Sequence, residues 1–246
     1  MVAIIAPAKR IRPYSEHGQI TVPVFSEEAE QIVEAMRRLE PWEMESVLRT
    51  NEKIALEAYI NYQSIGLGVP GTQALFAYDG LVYKNIIPES FDEDEFDFIN
   101  QKLRILSAVY GVLRPSDGIL PYRLEMNCSL SVNGTENLYR FWGNKLHREL
   151  YCSAAVVVNL SSEEYAKAVR KHLRPQDTWI DVIFLSYYKG KLKTLPAWAK
   201  MARGQMVRYI VKNRLETPEQ LKKFCWDGYH FEACMSERDR LIFVRN

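Results

Sequence analysis

No stretch of this sequence is long and apolar enough to cross a bilayer as a helix. Runs such as Ala154 to Val158 and Ile183 to Leu185 fall far short of the roughly 20 residues required. A membrane partner is therefore not expected. The N-terminal Met1-Val2-Ala3-Ile4-Ile5-Ala6-Pro7 has no positive charge before its short apolar run, and Lys9 and Arg10 come after it, so it reads as a first strand and not a signal peptide. Cysteine is sparse: Cys128, Cys152, Cys225 and Cys234 are scattered, with no C-x-x-C pair and no histidine at ligand spacing. Reduced, structural thiols in a cytoplasmic protein are expected. Histidine is scarcer still in effect, because His17, His147, His172 and His230 are isolated and read as surface or satisfied core residues. Phosphate-loop, G-x-G-x-x-G, H-E-x-x-H and G-x-S-x-G signatures are all missing, so no cofactor is indicated.

What is present is core material and an uneven charge distribution. With 246 residues and 47% hydrophobic content, the chain suffices for one large domain spanning 1–246. The formal net charge of +1 hides a segment, Val182 to Leu215, that contains no Asp or Glu. It holds eight basic residues: Lys189, Lys191, Lys193, Lys200, Arg203, Arg208, Lys212 and Arg214. Setting those eight apart from the 32 in the chain leaves 24 basic against 31 acidic residues elsewhere, about −7.

Alternation and turn chemistry predict a mixed sheet with helices. Strands are expected at Met1 to Ala6, Ala154 to Leu160, Tyr229 to Ala233 and Leu241 to Arg245, and helices from Ser26, Pro41 and Thr50-Asn51. Gly66, Gly68, Pro70 and Gly71 break the pattern before a hairpin expected to pair Gln73 to Ala77 with Leu81 to Tyr83 across Asp79-Gly80. Ser90 and Glu93 have capping-box spacing, and Phe96, Ile99, Leu103, Leu106 and Tyr110 predict one long helix closed by Gly111. Its acidic first turn, Asp92 to Asp97, reads as a solvated, dipole-matched start. A Pro- and Gly-punctuated turn from Gly111 to Tyr122 follows, then a helix holding Leu138, Phe141, Trp142 and Leu146. Trp179 to Tyr187 and Lys191 to Leu195 make a second hairpin around Lys189-Gly190, and Pro196 opens a helix to about Asn213.

On that last helix the five basic residues share one arc while Trp198, Ala202, Met206, Tyr209 and Ile210 share another, so one face packs and the other is cationic. Gly204 falls in the cationic arc, where a missing side chain lets a phosphate or another backbone approach. The plain alternative is a solvated face, set against the lack of the interspersed acids such faces usually carry. Tyr187 and Tyr188 are placed to stack exposed bases. Arg114 and Arg123 bracket a turn suited to a phosphate, although Arg123 and Glu125 point to the same side of a strand and are equally suited to pairing with each other. Asp79, Asp117, Asp181 and Glu125 are candidate acids or bases that nothing in sequence pairs.

The run Phe96-Asp97-Phe98 through Leu103-Arg104, Leu106-Ser107, Tyr110-Gly111-Val112-Leu113-Arg114-Pro115, Asp117 and Pro121-Tyr122-Arg123-Leu124-Glu125-Met126 resembles the YaaA family of peroxide-stress proteins. Pro7-Ala8-Lys9, Leu138-Tyr139 with Phe141-Trp142-Gly143, Asn159-Leu160 with Ser162 and Glu164-Tyr165, and Ala199-Lys200 with Ala202-Arg203-Gly204 match in the same order. The resemblance implies a bacterial cytoplasmic protein of mixed α/β (α+β) fold, with a helix-hairpin-helix-like element and a positively charged cleft that binds DNA. It also implies a role in limiting oxidative damage under hydrogen peroxide, linked to lowered intracellular iron. Matched position by position, the cleft candidates are Lys9, Arg104, Arg114, Arg123, Lys167, Lys200 and Arg203. Ala6 stands where the family typically has Ser, and Met201 where a second Lys is common.

The resulting expectation is a monomeric DNA-binding protein that contacts phosphates more than base edges, with Arg208 and Lys212 of the basic helix joining those cleft residues. A binding role is expected ahead of catalysis. The alternative is an enzyme acting on a nucleotide or nucleic acid, with Arg123, Glu125 and Lys9 lining its pocket. Direct iron sequestration is disfavoured because carboxylates and histidines do not cluster in sequence.

Overall fold

The computed structural model describes residues 1–12, 18–66 and 71–245; His17, Gly68 and Pro70 lie outside them. Its main sheet has nine strands: Val2–Ile5 (β1), Leu103–Ser107 (β2), Gly111–Leu113 (β3), Val156–Asn159 (β4), Thr178–Tyr188 (β5), Lys191–Lys193 (β6), Cys225–Trp226 (β7), Tyr229–Phe231 (β8) and Arg240–Arg245 (β9). The apolar N-terminal run is buried at all four positions of β1, as a strand covered on both faces should be. It pairs in parallel with β2 on one side and β4 on the other, and β4, β5 and β9 continue in parallel. Antiparallel strands close the edges: β3 beyond β2, and β8 then β7 beyond β9. β6 folds back on β5 through Lys189 and Gly190, both with positive φ (51° and 74°), the turn expected there.

Along the parallel core the second strand to appear sits on one side of the first, and the third, fourth and fifth on the other. That is the order of a doubly wound sheet, and the point where it reverses lies between β1 and β4. In such sheets ligands bind outside the carboxyl ends of the strands at the reversal.

The helices are Ser26–Arg37 (α1), Pro41–Leu48 (α2), Glu52–Ser64 (α3), Ala74–Ala77 (α4), Leu81–Ile86 (α5), Glu93–Lys102 (α6), Leu138–Trp142 (α7), Lys145–Ser153 (α8), Glu163–Arg170 (α9) and Pro196–Lys212 (α10). α10 packs on α5 and α6 while α8 packs on α9 and β4, so both faces of the sheet are covered. The expected starts at Pro41 and Asn51 hold, Asn51 accepting the Ile54 amide at 3.0 Å. The mixed α/β class is therefore as expected. Among the described residues no helix is long and apolar enough to cross a membrane.

Three expectations are corrected. Residues 73–83 are not a hairpin: Thr72–Gln73 pairs with Gly118–Ile119, Tyr78–Asp79 pairs with Arg10–Ile11, and α4 and α5 fill the remainder. Gly80 is extended (φ −163°), and its role is contact, since a Cβ there would stand 2.9 Å from the Ala8 Cβ. The long helix ending at Gly111 is also two elements. Asp92 and Glu95, not Ser90 and Glu93, form the capping box, α6 stops at Lys102, and β2 follows with all five residues buried. An apolar run buried on both faces satisfies helical spacing and a central strand equally, and pairing with β1 decides. Residues 103–113 thus form strand, turn and strand, where one helix running on to Gly111 was expected. Finally, the helix through Leu138 and Leu146 breaks at Gly143 (φ 48°) into α7 and α8.

Candidate functional site

Four of the expected residues, Lys9, Arg123, Lys200 and Arg203, meet at one cavity of about 420 Å³. Its floor is the reversal point. Ala6 to Arg10 leave the carboxyl end of β1, and Leu160, Ser162, Glu164 and Tyr165 leave that of β4. Asp79 to Tyr83 at the start of α5, the segment Tyr122 to Glu125, and Lys200 with Arg203 on α10 form the walls.

The back wall is a rigid tyrosine group. The Tyr122 hydroxyl lies 2.8 Å from both the Tyr78 hydroxyl and Ser107 Oγ at the end of β2. The Tyr83 hydroxyl donates to the Ala6 carbonyl at 3.0 Å. Burial pushes the Tyr78, Tyr83, Tyr122 and Tyr165 hydroxyls above their ordinary range, so they stay protonated and neutral.

Five cations face three carboxylates in the lining. Glu125 Oε1 is shared by Lys9 Nζ at 3.1 Å and Arg123 Nη2 at 3.0 Å, so the pairing read as an alternative for Arg123 occurs and draws Lys9 in as well. Asp79 takes Arg10 and Lys84, each at 3.3 Å. Arg203 differs. Among the described residues it has no ion-pair partner, its Nε is buried without a hydrogen bond, and burial alone lowers its pKa. A desolvated guanidinium with no counter-charge is chemically suited to an anion.

Glu164 is the third carboxylate. It accepts the Asn127 amide at 3.2 Å, and its pKa is raised first by burial and then by nearby Glu125. Because the folded value lies above the ordinary 4.5, the ionised form destabilises the fold at neutral pH, and that effect vanishes below the unfolded value. Glu164→Gln, which retains an acceptor for Asn127, is expected to melt above wild type near neutral pH and together with it below about pH 4. Melting curves at the two pH values check this.

The other expected residues stand elsewhere. Arg104 is buried on β2 and donates to the carbonyls of Asn100 (3.0 Å) and Leu103 (2.7 Å), closing the C-terminal end of α6. With exposed Arg114 it lines a separate small cavity containing Asp117 and Glu149. Lys167 is exposed on α9, 5.2 Å from the centre of the Tyr139 ring. Arg208 donates to the Ile86 carbonyl at 3.1 Å, and Lys212 pairs with Glu95 at 2.7 Å. The acids lacking from the basic segment are supplied by α6, where Asp94 also lies 3.9 Å from Arg214.

Gly204 serves the backbone alternative. A Cβ there would meet the Val82 carbonyl oxygen at 2.2 Å. Asp117 accepts from Thr21 Oγ1 (2.6 Å) and the Arg114 amide (2.7 Å), and Asp181 accepts from Asn159, Trp179 and Arg170, so both are engaged within the protein and stand outside this cavity. Among the described residues no three His, Cys, Asp or Glu side chains are grouped to hold a metal ion. Sequence reasoning passed over the α5 wall and the tyrosine group. The signal for them was two loops, Pro7 to Arg10 and Leu160 to Ser162, each following a buried strand.

The chain is similar over its full length to curated bacterial proteins. It is 37% identical over 246 residues to a UPF0246 protein of Clostridioides difficile (strain 630), covering all of both chains. It is 39% identical over 245 residues to one of Lacticaseibacillus casei (strain BL23), covering 99% of each. A UPF0246 protein of Agathobacter rectalis is 33% identical over 246 residues, all of this chain and 99% of that one. The model of the family described as peroxide stress protein YaaA matches residues 1–235, and the chain belongs to that family of peroxide stress proteins.

Proposed function

We propose that this chain serves the peroxide stress response by binding DNA through phosphate contacts at the β1/β4 cavity and its rim, limiting oxidative, iron-dependent damage to the DNA. One observation carries the reading: cations from three separate segments converge at the reversal point of the sheet, and one of them, Arg203, has no carboxylate to neutralise it among the described residues. Arg and Lys without accompanying Asn or Gln suit phosphate oxygens better than base edges.

Binding to a fluorescent duplex is expected to weaken steeply with salt, log K falling by about 0.9 per phosphate contacted for each unit of log salt. Lys200→Glu is expected to weaken binding of all sequences alike and to reduce that slope by about 1. Lys212→Gln, which removes a charge already paired with Glu95, is expected to leave both unchanged. No binding at low salt, or equal responses from the two variants, would overturn the reading.

A second reading, an enzyme acting on a nucleotide or nucleic acid, is favoured by Glu164, a carboxyl with a raised pKa inside the same cavity. Release of a product from a nucleotide or DNA, lost in Glu164→Gln, would replace the first reading with this one.

A further inference from the structure

The cavity is too small for a duplex and large enough for one of its units. About 420 Å³ lies near the lower end of the range of small-molecule sites, roughly 300–1,000 Å³. Its polarity is graded. Lys9, with its side chain 67% exposed, and Lys200 stand at the mouth, and Arg203 is sunk in the wall beyond them. Deeper in, the wall is Leu124, Leu160 and the Tyr83 and Tyr122 rings, whose hydroxyls are already hydrogen-bonded within the protein and leave their apolar surfaces to a ligand. Glu164, the one lining carboxylate without an ion pair among the described residues, adds an acceptor group. A cationic mouth, an apolar interior and one acceptor not engaged in an ion pair are the complements of a phosphate, a base and its amino edge.

We propose that this cavity takes a single nucleoside monophosphate unit, its phosphate on Arg203 and Lys200 and its base turned inward toward Tyr83, Leu124 and Glu164. The inference deepens the DNA reading and rests on it for one of two sources, a nucleotide unstacked from a strand; the other is a free nucleotide.

The test separates ligand, source and site. Calorimetric titration of the full chain with deoxynucleoside 5′-monophosphates is expected to give one-to-one binding, at least tenfold tighter than with inorganic phosphate or with the matching nucleosides. Leu81→Trp fills the mouth from a position 39% exposed, without removing a cation, and is expected to weaken nucleotide binding at least tenfold. Arg203→Met is expected to do the same with the cavity left open, which covers the case in which the tryptophan variant melts early. Competition between a bulged duplex and the free mononucleotide assigns the site to nucleotides in DNA, and its absence assigns it to free ones.

No mononucleotide binding at millimolar concentration, or binding indifferent to both variants, overturns the inference. The two failures are distinguishable. A protein that binds paired duplex at low salt but no mononucleotide keeps the DNA reading and loses this one, and the reverse result does the opposite.

Discussion

Gly204→Ala is expected to destabilise the protein by about 2–3 kcal/mol, although the same exchange in an isolated helix is favourable by up to about 1 kcal/mol. The added Cβ would lie 2.2 Å from the Val82 carbonyl oxygen and 2.8 Å from the Asn85 Cβ, so α10 and α5 must part by about 1 Å to restore ordinary contact. Neither neighbour is the free end of a flexible side chain: one is backbone and the other the root of a side chain. Close-packed interiors answer such an intrusion with displaced elements. Here the displaced elements are the walls of the cavity, since α5 carries Leu81 to Tyr83 and α10 carries Lys200 and Arg203. Denaturant unfolding should show the stability loss, and duplex binding by the folded fraction should weaken with it. A variant as stable as wild type would mean that α10 does not press on α5 as described.

That contact also shows where sequence reasoning reaches and where it stops. Local signals were sufficient for β1, β4, α1 to α3, the β5–β6 hairpin and α10, because each combines a clear period with its own cap or turn. They failed at 73–83, where Asp79-Gly80 has good turn chemistry but both short strands pair with residues remote in sequence, and at 103–110, where burial on both faces removes the difference between the two periods.

The site was half legible for the same reason. The basic segment has no acids of its own, yet Lys212 meets Glu95 across 117 positions of chain, and no local charge count registers such a partner. Lys9, Arg123, Lys200 and Arg203 are brought together by strand order, which only the folded sheet displays. Arg104 stands apart from this cavity because the last carbonyls of α6 take it as a donor where the chain passes from helix into β2.

Arg203→Met is expected to raise stability and weaken DNA binding together. A guanidinium withdrawn from water without a carboxylate opposes folding, and methionine fills the same space with no charge to desolvate. A gain of about 1 kcal/mol is in line with removal of a strained functional charge. The affinity for duplex should meanwhile fall at least tenfold, because a charge-assisted hydrogen bond is worth about 1.5–3 kcal/mol. Arg203→Lys divides the two effects: it keeps the charge but loses the planar fork that grips two phosphate oxygens, so its affinity is expected between those of wild type and Arg203→Met. Thermal melting and salt-matched binding on the three proteins check this. A methionine variant that melts lower while binding DNA unchanged would make Arg203 a packing residue of α10 and leave the cavity without its anion anchor.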